Sequence, residues 1–463
     1  MSLSLALRNL LRNRRRSIAT LLALAIGAAA VLLFGGYSAD IRYSMLTGYV
    51  RAGGHLQVQH RDFFLYGNGN PTAYGIAGYE RLLEAIRNDD VLKGMVTVAT
   101  PTMQFGGIAG NYDAGVSRTV VGIGFVAADV SRMRQWNEFG ATQVAPANVL
   151  EGAPADAAIV GVGVARVLLL CEPLGVANCP RPQIERAAAG PALPADIAAL
   201  AQKEQPVAGS PAVGKARIEL LAGQSRGSPS VAALNVLAAE DQGFKELDEV
   251  TVVLQFAQAQ RLIYGRSAPR ATSIMVQLAH TSQMQAASAR LQEVVSRVAP
   301  GQALAVLDFE SLNPFYAQTM QLFDTIFGFI FVLIGGIVLF TVSNTMNAAV
   351  VERTTEIGTL RAVGLRQSGI RRLFVTEGIL LGCVGALVGV GSALLLAYVV
   401  NRLQLTWQPP GGSDRLPLNV RVWGEARMIV GTTIGLIVIA AASAWWPAWR
   451  AAKLKIVDAL RHA

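Results

Sequence analysis

The sequence predicts a membrane protein with four transmembrane α-helices and a large mixed α/β extracytoplasmic domain between the first and the second. Three observations predict it: four long uncharged apolar runs, a long polar stretch after the first of them, and an uneven placement of Lys and Arg. The runs are Ser17–Ala39, Thr325–Val351, Gly378–Asn401 and Met428–Trp449. A hydrocarbon core about 30 Å thick takes about 20 apolar residues to cross as a helix. Lipid offers no partner to a free backbone N–H or C=O, so each run must be helical. The first run is longer than the apolar core of a secretory signal and lacks a clear small-x-small site after it, so it is read as a retained span.

Orientation follows from the charges that flank the spans. Arg8, Arg12, Arg14, Arg15 and Arg16 precede the first, and Arg353, Arg361, Arg366, Arg371 and Arg372 separate the second from the third. Arg450, Lys453, Lys455 and Arg461 follow the fourth. These three regions are assigned to the cytoplasm. The loop 402–427 also holds arginines, but alternation of spans overrides that signal. The expected order is a cytoplasmic amphipathic helix (1–16), spans at 17–39, 325–351, 378–401 and 428–449, an outward domain (40–324), a cytoplasmic loop (352–377), an outward loop (402–427) and a cytoplasmic tail (450–463). The formal net charge of +9 is mostly this topological bias, and nucleic acid is not an expected partner.

The outward stretch is long enough for a sizeable core, read as two subdomains. Gly54–His60, Lys93–Ala99, Arg118–Phe125, Asp248–Phe256, Ser273–Leu278 and Ala303–Leu307 carry strand signals; Tyr79–Asn88 and Ser282–Val298 read as helices. The first and last parts are expected to pair in a βαβ-rich subdomain. The Ala-, Gly- and Pro-rich middle, about 127–242, reads as an inserted subdomain. Of three cysteines, Cys383 lies in a span, while Cys171 and Cys179 share an outward loop. An oxidising compartment permits a Cys171–Cys179 bridge; two free thiols are the alternative.

Catalytic chemistry finds little footing. No G-x-x-x-x-G-K-[ST] occurs, so the chain is not expected to bind ATP or to be an enzyme itself. Gly223-Gln224-Ser225-Arg226-Gly227 spells a nucleophile elbow, but Pro229 follows at once and the context of strand, helix, acid and His is missing; it reads as a surface turn. His55 and His60 are five apart in a strand and point to opposite faces, so they do not share a metal. Gly122-Ile123-Gly124 lacks the rest of a dinucleotide fingerprint.

The charged segment between the second and third spans is different. It reads NTMNAAVVERTTEIGTLRAVG from Asn344 to Gly364. Glu356 with Leu360, and Ile357 with Arg361, are four apart, so one short helix presents Ile357, Leu360 and Val363 beside a charged side. Gly364 is placed to end it as a left-handed cap. Such a helix between two spans suits a partner's groove; a solvated loop that only fixes orientation is the plainer reading of its charges.

Placement and wording resemble the cytoplasmic loop of MacB/FtsX-type ABC transporter permeases. So do Pro447-Ala448-Trp449-Arg450-Ala451-Ala452 with Val457-Asp458-Ala459-Leu460-Arg461, although Ile456 stands where the family usually has proline. Leu7-Arg8-Asn9-Leu10-Leu11-Arg12-Asn13 is similar to the family's N-terminal helix, which lies along the inner leaflet. Gly54-His55-Leu56-Gln57-Val58-Gln59, and Leu247-Asp248-Glu249 leading to Ala259-Gln260-Arg261-Leu262, look like the lipoprotein-releasing LolC/LolE-like branch without a fused ATPase domain. The resemblance implies a non-catalytic permease of the bacterial inner membrane with both termini cytoplasmic. Its coupling residues would be Glu352, Arg353, Glu356, Ile357, Gly358, Leu360, Arg361, Ala362 and Gly364. These would meet a separate ATPase that uses ATP and Mg. One coupling helix per chain implies two permease chains, a homodimer first and a heterodimer second. Membrane lipid is a further partner, and a periplasmic adaptor or outer-membrane factor is compatible. The expected cargo is amphipathic: a lipoprotein, lipid, peptide or drug. The alternative is an FtsX-like regulator that activates a periplasmic cell-wall hydrolase.

Overall fold

A computed structural model describes residues 14–141, 147–176, 216–224, 228–243, 245–407 and 416–454. The N-terminal segment 1–13, Cys179, Ser225–Gly227 and the tail beyond Leu454 lie outside the described residues. The chain divides into two compact units. One is a sheet unit built from Ser44–Pro314; the other is a helical unit built from Met1–Tyr43, Phe315–Trp407 and Leu416–Ala463.

Helix α1 (Arg14–Gly53) runs well past Ala39, where its charge-free run ends. A helix does not stop where hydropathy does; this one stops at Gly54, whose φ of +77° no helix permits. The sheet unit then follows as β1 (Leu56–His60), β2 (Ile76–Ala77), α2 (Tyr79–Asn88), β3 (Val96–Asn111), β4 (Val116–Phe125), α3 (Ala127–Arg134), β5 (Ala157–Gly161), α4 (Val162–Val167), β6 (Arg217–Gly223), β7 (Pro229–Glu240), β8 (Thr251–Gln255), α5 (Phe256–Tyr264), β9 (Arg270–Ala271), β10 (Ser273–Leu278), α6 (Met284–Val298) and β11 (Leu304–Asp308).

Nine of these strands form one sheet in the order β11-β1-β10-β3-β4-β8-β5-β7-β6, and β3 also pairs with β6. The second pairing closes β3-β4-β8-β5-β7-β6 into a ring, with β10, β1 and β11 extending from β3. Strand β3 does both jobs: its Val96–Thr102 half pairs with β10 and its Gly107–Gly110 stretch with β6. Gly107 is needed there, because a Cβ would stand 2.8 Å from the Leu221 carbonyl oxygen. The first and last strands of the unit, β1 and β11, pair antiparallel with one another. Strands β5, β6 and β7, from the stretch read as an inserted subdomain, are hydrogen-bonded into the same sheet.

Gly122 and Gly124 serve packing: a Cβ on the first would overlap the Phe105 ring, and one on the second the Ala259 methyl. Helix α2 buries Tyr79, Leu82, Leu83 and Ile86 at helical spacing, and α6 buries Ala287, Leu291, Val294 and Val295. Two buried polar groups tie this core together. The Asp89 carboxylate receives the Arg290 guanidinium at 2.9 Å and the backbone N–H groups of Val91 and Leu92 at 3.1 Å. The Arg290 hydrogen bond above all holds its pKa down at about 2. His55 is fully buried, its Nδ1 accepting the Leu278 N–H at 3.0 Å and its ring edge-on to Trp136. Burial pushes its pKa down to about 4, against an opposing pull from Glu138. His60 Nδ1 accepts the Asp62 N–H, so both histidines have structural tasks.

The helical unit contains α1 up to Tyr43, then α7 (Pro314–Glu352), α8 (Thr354–Ala362), α9 (Gln367–Leu403) and α10 (Ala426–Ala452). Helices α1, α7, α9 and α10 are each long and apolar enough to cross a membrane. They meet through small residues. A Cβ on Gly385 would overlap Leu24, and one on Gly389 would overlap Ala28 and stand 2.8 Å from the Ala25 oxygen. Thus α9 lies directly against α1. On its other side, Gly382 would bring a Cβ to 3.0 Å from Ala440 of α10. Close backbone approach of this kind replaces the hydrophobic drive that lipid cannot supply. Thr20 and Thr345 add a hydroxyl pair at 2.7 Å between α1 and α7.

Candidate functional site

The site is the junction between α7 and α9. Helix α7 ends because Arg353, with φ −107° and ψ 19°, leaves helical geometry. Thr354 Oγ1 donates back to the Val351 oxygen at 2.8 Å and the Val350 oxygen at 3.1 Å, satisfying carbonyls of the last turn. Helix α8 then starts anew, with the Ile357 N–H on the Arg353 oxygen at 2.9 Å.

Its far end is a Schellman motif. The Leu365 N–H reaches the Leu360 oxygen at 3.0 Å and the Gly364 N–H the Arg361 oxygen at 3.1 Å. Gly364 has φ +103°, a value at which a side chain would be strained. Arg366 then caps the start of α9 in extended backbone geometry.

Two side chains of the segment turn inward. Ile357 is 3 % exposed and belongs to the apolar cluster that holds Ile370 and Phe374 of α9 with Ala448 and Ala451 of α10. The Arg353 guanidinium meets the Glu377 carboxylate at 3.0 Å, with side chains 8 % and 2 % exposed. The Arg361 guanidinium donates to the Leu454 carbonyl oxygen, just past α10. Gly358 is buried; Glu352, Glu356, Ala362 and Gly364 are exposed. Leu360 at 38 %, Val363 at 84 % and Leu365 at 40 % are the exposed large apolar residues of the segment.

Sequence reasoning put Ile357 beside Leu360 and Val363 on one presented face. The structure separates them, because α8 packs back on its own chain and Ile357 fills that contact. The outward apolar surface is Leu360, Val363 and Leu365. Glu377 was missed altogether. Its signal was a lone carboxylate at the mouth of an apolar span, where a charge must find a partner. Elsewhere, Cys171 is disulfide-bonded and Cys383 is a free thiol.

The short helix and the spans that flank it lie in the part of the chain with known relatives. Residues 325–456 match the family described as FtsX-like permease C-terminal. An uncharacterized ABC transporter permease of Methanocaldococcus jannaschii is 33% identical over 120 residues, which is 26% of this chain and 28% of that protein. The macrolide export ATP-binding/permease protein MacB of Escherichia coli K12 is 34% identical over 143 residues, 31% of this chain and 20% of MacB. The matched stretch therefore spans between a fifth and a third of the length of these relatives. The periplasmic region of MacB from Actinobacillus actinomycetemcomitans aligns over 57% of this chain and 94% of that one, with TM-score 0.32 and 10% identity. The extracellular domain of YknZ, a noncanonic ABC-type transporter from Gram-positive bacteria, aligns with TM-score 0.30 at 10% identity, over 55% of this chain and all of that one. The chain thus carries an FtsX-like permease domain, homologous to MacB and to the archaeal ABC transporter permease.

Proposed function

We propose that this chain is the membrane permease subunit of an ABC transporter of the MacB type, seated in the bacterial inner membrane with both termini in the cytoplasm. A separate ATPase hydrolyses ATP with Mg and docks on α8. Its stroke moves the sheet unit on the outer side, which extrudes or releases an amphipathic substrate such as a lipoprotein, lipid, peptide or drug. Two permease chains assemble per transporter, and an adaptor or outer-membrane factor extends the path where one is used.

The observation that carries this reading is α8 itself. It is a short helix between two span-length helices, anchored from beneath by Ile357, Arg353 and Arg361, with Leu360, Val363 and Leu365 left outward. Apolar residues on a charged helix end cost solvation unless a partner covers them.

The test is Leu360→Asp in the full chain, co-expressed with an ABC ATPase recognised by its own phosphate-binding loop. Leu360 is partly exposed, so membrane insertion is expected to stay at the parent level. Co-purification of the ATPase should fall about tenfold, the loss expected of a central apolar contact. Full retention of the ATPase with normal ATP-driven activity would overturn the docking assignment.

A further inference from the structure

The last turns of α10 carry a surface that the docking reading leaves unused. Trp445, Trp446, Trp449, Arg450 and Lys453 follow the i, i+1, i+4, i+5, i+8 spacing of one helix face. All five are exposed, the tryptophans at 61 %, 58 % and 43 %. The opposite strip, with Ala444, Ala448 and Ala451, is buried in the apolar cluster of the helical unit. Packing of the small residues thus turns the aromatic and cationic strip away from the bundle.

Tryptophans at the end of a span serve as an interfacial belt, and cations beyond them set orientation. A belt runs round a bundle, however, and this one does not. Helices α1, α7 and α9 contain no tryptophan, and half of the chain's six lie on this strip. The cations share the strip with them, and Lys453 Nζ lies 3.7 Å from the centroid of the Trp449 ring, so rings and charges form one surface.

Depth fits as well. At about 1.5 Å per residue, Trp449 lies about 6 Å and Lys453 about 12 Å along the axis from Trp445. The polar layer on each side of a hydrocarbon core is about 5–8 Å deep. Rings that occupy that layer leave the two cations at the level of lipid phosphates. The C-terminus of α10 opposes an anion with about half a negative charge, but Arg450 and Lys453 bring two full positive charges to the same place.

We propose that this strip is a binding site for an anionic phospholipid, with its phosphate held by Arg450 and Lys453 and its glycerol and upper acyl chains against Trp445, Trp446 and Trp449. The assignment to the inner leaflet rests on the proposed orientation; the chemistry of the ligand does not. The lipid sits beside Leu454, whose carbonyl oxygen receives Arg361 of α8.

The test uses the full chain in phosphatidylcholine nanodiscs that contain a minor fraction of dibrominated phosphatidylglycerol or of dibrominated phosphatidylcholine. Bromine on the upper acyl chain quenches tryptophan only at close approach. No ATPase is present and both faces of the disc are alike, so the outcome depends on neither docking nor orientation. The anionic lipid should quench the parent about twofold more than the neutral one, because each cation near the surface favours anionic lipid. Arg450→Gln/Lys453→Gln should abolish that excess and leave quenching by the neutral lipid unchanged. Arg402→Gln/Arg427→Gln, at exposed cations outside the strip, should keep it. Trp445→Phe/Trp446→Phe/Trp449→Phe should lose it together with the reporters, and millimolar inorganic phosphate should leave it in place.

Equal quenching of the parent by the two lipids would overturn the proposal. So would an excess that survives loss of Arg450 and Lys453, or one that persists in the triple tryptophan variant. An excess that falls as far on loss of Arg402 and Arg427 would show attraction to net charge alone, and one abolished by inorganic phosphate would show a site for the free ion; either refutes the lipid site. If the Arg450/Lys453 variant fails to fold, Lys453→Gln alone should remove about half of the excess, and an undiminished excess there would count against the site.

Discussion

Asp89→Asn puts a number on the clamp that holds α2 to α6. The substitution keeps the size of the side chain and an oxygen able to accept the Val91 and Leu92 N–H groups. It removes the charge that faces Arg290, and turns an amide N–H₂ or a neutral oxygen toward a guanidinium. The Asp89 pKa falls from the ordinary 3.8 to about 2, which by linkage corresponds to about 2.5 kcal/mol at neutral pH. Asp89 is almost covered, but the Arg290 side chain is 28 % exposed, so solvent screening trims this to about 1–2 kcal/mol. A carboxyl whose folded pKa is depressed stabilises fully above its unfolded value. That stability is complete above about pH 4 and drains away as pH falls toward about 2.

The assay is thermal unfolding of the sheet unit in nanodisc-embedded full chain at several pH values. At pH 7 the variant should melt roughly 2–6 °C below the parent, and the gap should close as pH is lowered toward the folded pKa. Equal melting at pH 7 would refute the clamp. A gap that persists unchanged at the acid end would refute its electrostatic origin.

His55 works in the same direction through a different group. Its folded pKa is about 4 against an ordinary 6.5, so the unfolded chain takes up the proton first, and stability drops as pH falls from about 6.5 to about 4, by up to about 3 kcal/mol. His55→Gln should flatten that part of the stability–pH curve, read from unfolding midpoints; an unchanged slope would sink the assignment. In the helical unit, Gly389→Val should push α9 from Ala25 and Ala28 of α1 and cost about 1–3 kcal/mol. Gly391→Ala, with open space around its Cβ, should be near neutral. Unfolding of both in the same bilayer checks this, and equal stabilities would count against the close α1–α9 contact.

Much of the fold was legible because its signals are local. The span-length helices announce themselves by uncharged length, since lipid enforces helix wherever the chain enters it. Helix α2 and strands β8 and β10 have regular apolar spacing or β-rich runs. The ends of the long helices were not legible, because Asp40 and Arg42 are as compatible with helix as Ala39 is. The ring of strands was hidden for another reason. The far half of β3 contains Gly106, Gly107 and Gly110, which in a sequence read as a turn. In the fold, Gly107 is where β6 approaches too closely for a side chain. Strands β6 and β7 are rich in Ala and Leu, a composition that favours helix on propensity alone, and pairing within the closed sheet overrides it. At the junction, Gly364 as a cap could be read from sequence because αL geometry selects glycine locally. The Arg353–Glu377 pair could not, since it depends on how α9 folds back beneath α8.

That dependence bears on how α8 comes to exist at all. Nine residues are too few to hold a helix in water, where nucleation is costly and isolated helices become marginal below about 12–15 residues. Its propensities are unremarkable, with Thr at two of its first positions. What stabilises it is therefore tertiary: Ile357 beneath it, Arg353 at one end, Arg361 and the Schellman turn at the other. Each anchor lies on the face or ends that touch the rest of the helical unit. The side chains of Leu360 and Val363 contribute to none of these anchors, so the fold leaves them available to vary with a partner. Under the proposed function, changes at Leu360 and Val363 should then alter which ATPase docks without altering the fold, while changes at Arg353, Ile357 or Glu377 should alter how the docked stroke is received.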